Sequence, residues 1–225
     1  MRRGKLYVIE GSDGSGKATQ SKLLYERLLK EGKDVKLISF PDYNSDSSAL
    51  VKMYLAGEFG KDVKDVNVYA ASSFYAVDRF ASFKKDWEDF YNNGGIIIAD
   101  RYTTSNMVHQ AAKITNKKEK DKFLNWLWEL EFELFELPIP DLVLFLDVKP
   151  EISQKLMNNR LNKITKEKEK DIHEKNSEFL LESYNNALYV AKKYSWKIIN
   201  CSKDDKILSK EAIHQKIYSE VRGMN

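Results

Sequence analysis

A single α/β domain, with a five-stranded parallel sheet and helices on both faces, is predicted from three observations. Short apolar, β-prone runs alternate with segments of helical apolar spacing along all 225 residues. One run, Ile96-Ile97-Ile98-Ala99, is apolar throughout, as suits a central parallel strand covered on both faces. Between the first strand and the first helix stands Gly11-Ser12-Asp13-Gly14-Ser15-Gly16-Lys17. A glycine-rich turn in that context, ending on lysine, has the form of a phosphate-binding P-loop.

The elements follow in order. Lys5 to Glu10 is the first strand, and the first helix runs from Lys17 to Glu31, stopping near Gly32. Asp34 to Phe40 is a second strand, ended by Pro41. Ser45 to Ala56 reads as a helix closing at Gly57, and Val66 to Tyr91 as a long, aromatic-rich one with room for a break. Asn93-Gly94-Gly95 ends that helix before the Ile96–Ala99 strand. Helices are predicted over Thr103–Ala112 and Glu119–Glu136, and a fourth strand over Leu142–Asp147. Pro150 opens a helix reaching Arg160. Residues 162–171 are rich in lysine and glutamate with little to bury, which suits a mobile flap. Glu178–Lys193, the strand Trp196–Asn200 and the helix Lys210–Val221 complete the chain. No repeat or linker divides it, so residues 1–225 are read as one domain, with a lid over roughly residues 158–174.

Hydrophobic residues make up 42%, enough for a packed core. No apolar run approaches the ~20 residues of a membrane span. The first four residues lead straight into a strand, so no signal peptide is expected. A single cysteine, Cys201, excludes an internal disulfide and fits a reducing compartment, so a cytoplasmic location is expected. The net charge of +3 is too small to suggest nucleic-acid binding. Only seven basic residues are arginine: Arg2, Arg3, Arg27, Arg79, Arg101, Arg160 and Arg222. Each is informative, because arginine is the better bidentate phosphate ligand.

In the glycine-rich loop, flexible backbone turns the N–H groups inward, and the helix start adds partial positive charge. Lys17 adds a full charge near the outer phosphates of a nucleotide. The residue after it is Ala18, where a hydroxyl normally reaches Mg²⁺; Thr19 lies about 100° further round the helix and is no automatic substitute. Ligands bind at the C-terminal ends of parallel strands. Asp13, Asp42, Tyr43, Asp100, Arg101 and Asp147 fall there. Asp100 suits a Mg²⁺ held through water or the positioning of a hydroxyl, and Arg101 the charge of a transferring phosphoryl group. Asp147 reads as a cap for the next helix. Phe74, Tyr75 and Arg79 lie about one helical turn apart, either as core packing or as a platform and donor for a base. Three dispersed histidines and one cysteine form no credible metal cluster.

Taken together these residues resemble the thymidylate kinase family. Glu10–Lys17 is similar to its P-loop, Phe40-Pro41 to its motif after the second strand, and Phe74–Arg79 to its thymine-binding helix. Asp100-Arg101-Tyr102 with Ser105 and Gln110 resembles its D-R-[YH]…S…Q signature, and Asp147 to Arg160 the approach to its lid. The matches cover residues 5–160 in order. The resemblance implies a P-loop nucleoside monophosphate kinase fold. It implies γ-phosphoryl transfer from ATP to dTMP, with Mg²⁺ as cofactor, in a homodimer. Gly11, Ser12, Asp13, Gly14, Ser15, Gly16, Lys17, Ala18 and Thr19 would bind ATP. Asp13 would meet the 3′-OH or the acceptor phosphate. Tyr75, or else Phe74, would stack on thymine, and Arg79 would hydrogen-bond it. Arg101 would bind the dTMP phosphate, and Asp100 would organise Mg²⁺. Phe40, Tyr43, Ser105, His109 and Gln110 would line the acceptor pocket. Some relatives carry arginine at the position of Tyr43, one branch carries it at Gly14, and tyrosine is frequent at His109. Positive charge must then come from the lid, through Arg160. A kinase for another monophosphate, or a nucleotide-binding regulator without activity, would share the loop.

Overall fold

The structure, a computed structural model, describes residues 3–157 and 177–224. Strand β1 (Lys5–Gly11) lies at the centre of a five-stranded sheet. On one side it pairs with β3 (Ile96–Asp100), which pairs in turn with β2 (Val35–Ser39). On the other it pairs with β4 (Leu142–Asp147), which pairs with β5 (Lys197–Asn200). All four pairings are parallel. Ile9 is in register with Asp100 on one side and Leu144 on the other, so the ends of β1 and β3 and the loop after β1 share one edge.

Side-chain alternation sorts β1 to the two faces. Leu6 and Val8, with Ile97, Ala99 and Val143, face one helical layer. That layer holds α3 (Val68–Ser82), α4 (Glu88–Asn92), α5 (Thr103–Ala112) and α6 (Lys117–Trp128), and buries Trp87, Phe123 and Leu127. Tyr7 and Ile9, with Ile98, Leu144 and Leu146, face the other. There α1 (Lys17–Lys30) and α9 (Lys210–Arg222) bury Leu24, Leu28, Ile213, Ile217 and Val221. Helix α2 (Ala49–Ala56) packs Tyr54 against Phe74 and Tyr75 of α3, and closes on Gly57 as its spacing predicts.

The two long helices depart from regular α geometry at their C-terminal ends. A π-helical turn, Phe83–Trp87, joins α3 to α4, and another, Glu129–Leu134, extends α6. The first lies within the long helix expected over Val66–Tyr91. The helices begin at polar caps: Asn67 accepts from the Tyr69 N–H at 2.8 Å, and Asn116 accepts from those of Lys118 and Glu119. Helices α7 (Pro150–Met157) and α8 (Ser177–Lys193) flank the lid segment. That lid, and Arg160 with it, lies outside the described residues. A short antiparallel pair, β6 (Ser202–Lys203) and β7 (Lys206–Ile207), was not expected; Asp204 and Asp205 turn between them at φ 50° and 53°.

Candidate active site

The loop between β1 and α1 wraps around the Lys17 ammonium. Nζ donates to the carbonyl oxygens of Gly11 and Ser12, both at 2.8 Å, and lies 3.8 Å from Asp13. Gly16, immediately before the helix, sits at φ 90°, where an L side chain would be strained. Lys17 is buried, and its pKa falls to about 8. Burial is the largest cause and the Arg101 charge adds to it; Asp13, Asp100 and Glu10 pull the other way. Ala18 and Thr19 are exposed on the first turn of α1.

Arg101 follows β3 at φ 71°, a conformation uncommon outside glycine that persists only when its surroundings fix it. Several groups fix it here. Nη2 donates to Asp13 Oδ1, and Nη1 to Ser105 Oγ at 3.3 Å. Nη1 is also 3.3 Å from His109 Nε2 and 3.7 Å from Glu10 Oε1. Burial opposes the guanidinium's charge, but Asp13, Glu10 and Asp100 outweigh it and raise its pKa. His109 is lowered to about 3, first by burial and then by Arg101. It is therefore neutral at ordinary pH, and its Nε2 accepts from Arg101.

Glu10, which ends the first strand and opens the P-loop-like stretch, has no site role in the sequence reading. It is fully buried and organises the site. Oε1 accepts from the Gly11 N–H at 3.0 Å, and Oε2 from the hydroxyls of Thr104 at 2.8 Å and Ser105 at 2.7 Å. It thus ties the P-loop to α5. The sequence signal was a carboxylate closing an apolar strand directly before the glycines. Asp100 is buried, and its Oδ1 has no hydrogen-bond partner among the described residues. A buried carboxylate oxygen left in that state fits a cation or a donor brought by a ligand. Asp100, Glu10 and Asp13 lie close enough to act on one lysine, yet no group of three metal-binding side chains occurs among the described residues. A cation here would lean on its nucleotide.

The acceptor side lies between α3 and α5. Asn106 Nδ2 donates to the Ser72 carbonyl at 3.3 Å and sets their spacing. Phe74 and Tyr75 are half-buried, with rings 6.5 and 6.4 Å from Tyr54. Gln110 is buried, its Oε1 without a partner among the described residues. Phe40 is core, its ring 6.0 Å from Tyr102, and its N–H donates to the Asp100 carbonyl. Tyr43 is half-buried beside the α2 cluster. Asp78 fastens the preceding loop to α3, accepting from the Asp42 N–H at 2.9 Å and the Ser47 hydroxyl at 2.6 Å. Arg79 is turned to Glu131: Nε and Nη2 donate to its two oxygens, both at 2.6 Å. Glu131 had drawn no attention in the sequence, where it is one acid among several on an aromatic helix. The Asp147 carboxylate accepts from the Tyr184 hydroxyl at 2.8 Å, which joins the end of β4 to α8.

The loop, Asp13, Lys17, Asp100, Arg101, Ser105 and His109 therefore converge at one sheet edge, with the α3 residues across the cleft. The family model described as "Thymidylate kinase" matches residues 9–217. A thymidylate kinase of Schizosaccharomyces pombe is 33% identical over 153 residues, 68% of this chain and 65% of that protein. The chain thus spans about two thirds of that relative's length, as it does for the Pyrococcus horikoshii one, at 66%. A "Probable thymidylate kinase" of Thermococcus onnurineus is 30% identical over 219 residues, 95% of each chain. Among solved structures, a thymidylate kinase from Candida albicans gives a TM-score of 0.73 at 24% identity, covering 98% of this chain and 92% of its own. One from Ehrlichia chaffeensis gives 0.66 at 19%, covering 97% and 99%. At such identities the likeness to the two structures is one of fold.

Proposed function

We propose a function from one premise: the chain belongs to the thymidylate kinase family. It transfers the γ-phosphoryl group of ATP to dTMP, giving dTDP and ADP. The observation that carries this reading is the Lys17 ammonium, held on loop carbonyls 3.8 Å from Asp13, the carboxylate that also takes Arg101. Both cations rest on protein oxygens, Lys17 on the Gly11 and Ser12 carbonyls and Arg101 on Asp13. When substrates bind, phosphate oxygens replace them: Lys17 and the loop N–H groups hold the ATP phosphates, and Arg101 holds the acceptor phosphate.

An oxygen of the dTMP phosphate attacks the γ-phosphorus, and the bond to the bridging β–γ oxygen breaks, leaving the electron pair on ADP. No covalent enzyme intermediate is needed. The residues act by alignment and charge neutralisation. Asp13 meets the 3′-OH or the acceptor phosphate. Tyr75 stacks on thymine and Arg79 donates to it. Mg²⁺ neutralises phosphate charge when bound; Asp100 is the residue that fits it, and Ala18 adds no hydroxyl. Arg160 adds positive charge from a lid at 158–174. No helix among the described residues is long and apolar enough to cross a membrane. A homodimer is supported by Val77, Phe80 and Leu134, exposed on α3 and the second π turn.

A coupled assay of ADP release, with a panel of monophosphates, tests the reading. dTMP should be the preferred acceptor, and dUMP weaker for want of its methyl contact. Folded protein that binds ATP yet forms no dTDP would mark a regulator instead.

A further inference from the structure

We infer that Glu131, steadied by Thr103, is the positioning residue that fixes Arg79 so that it accepts a 4-oxo pyrimidine and rejects a 4-amino one. This rests on the functional reading above, in which Arg79 meets the base.

Both partners are out of solvent, at 1% and 0% side-chain exposure. The carboxylate takes Nε and Nη2 together, so the guanidinium plane is set by two bonds of 2.6 Å. Thr103 donates to the same carboxylate at 2.7 Å. Thr103 opens α5, the helix that carries Ser105, His109 and Gln110. The orientation of Arg79 is thereby tied to the helix lining the acceptor pocket. A buried ion pair gives a fold little more stability than apolar packing of the same volume. What this one supplies is a fixed donor.

The grip takes the Nε–Nη2 edge and leaves Nη1 outside it, the edge that the functional reading turns to the base. A guanidinium donates and never accepts. A 4-oxo base presents an acceptor to that edge. A 4-amino base presents N–H groups, so donor faces donor. A loosely held arginine would swing aside and tolerate the mismatch; one clamped by Glu131 does not. The clamp stands on the π turn Glu129–Leu134, where Glu131 and Phe132 are buried. Such turns are frequent at functional sites.

The test compares Glu131→Gln and Thr103→Val with the wild type. The readouts are kcat, KM for dTMP and for ATP, Ki for dCMP, and the thermal midpoint. Glu131→Gln should raise KM for dTMP about tenfold and cut the ratio of dCMP Ki to dTMP KM about tenfold, with kcat and ATP KM within about twofold. Thr103→Val, which removes one hydrogen bond to the clamp, should lower the same ratio about threefold. A folded Glu131→Gln protein with an unchanged ratio overturns the inference, as does equal loss in kcat and both KM values, the mark of a merely structural pair. Should Glu131→Gln fail to fold, Thr103→Val decides alone, and an unchanged ratio there overturns the inference. A wild type that leaves dTMP untouched overturns the functional reading itself, so the two failures are distinguishable.

Discussion

Among single residues, Arg101 carries the sharpest expectation. It is fixed by Asp13, Ser105 and His109 in a left-handed backbone conformation that only a determined environment maintains. Arg101→Ala should cut turnover with ATP and dTMP at least about a hundredfold, the scale for losing one transition-state donor. Steady-state kinetics at saturating substrates would check it, and near-normal turnover would contradict the role. Lys17 gives a pH dependence. Its pKa of about 8 lies below the ordinary lysine value. The ammonium is the form that grips phosphate, so kcat/KM for ATP should fall as pH rises through about 8. Stability moves the other way. Between about 8 and the unfolded value near 10.5 the unfolded chain binds the extra proton, so this group's contribution to stability rises with pH. A pH–rate profile set beside denaturant midpoints would separate the two trends. Lys17, Asp100 and Arg101 were legible because each closes a strand or a glycine turn. Glu131 was not: its importance lies in a partner 52 positions away, and nothing local marks it.

At the level of the element, hydrophobic periodicity foretold the strands and the main helices, because burial on one face leaves a repeat in the sequence. It did not foretell the π turns. They add a residue to the turn without changing which residue types are apolar, so composition carries no trace of them. The β6–β7 pair was missed for a related reason: two-residue strands are too short for any period. Leu24 and Leu28 of α1 join Ile213 and Ile217 of α9 in one buried cluster. Leu28 is fully buried there. Leu28→Ala should destabilise the protein by about 2–5 kcal/mol, the range for a core leucine. KM for both nucleotides should stay within about twofold, since the residue meets neither loop nor cleft. Urea unfolding and kinetics on the same preparation would test both halves.

For the molecule as a whole, the fold could be derived and the acceptor pocket only in outline. A βα alternation with a glycine loop after the first strand leaves few topologies open. It does not say which side chains rest on one another when no nucleotide is bound. The pairing of Arg79 with Glu131 joins residues 52 positions apart, and that of Arg101 with Asp13 joins the loops after β3 and β1, 88 positions apart. The register of β1 on β3 has one more consequence. With Ile9 and Asp100 abreast, the gap between the donor's cradle and the acceptor's arginine is gauged by the peptide ladder, not by any removable side chain. Drift in the surrounding core can therefore soften the enzyme over evolutionary time while the distance the phosphoryl group must travel stays the same.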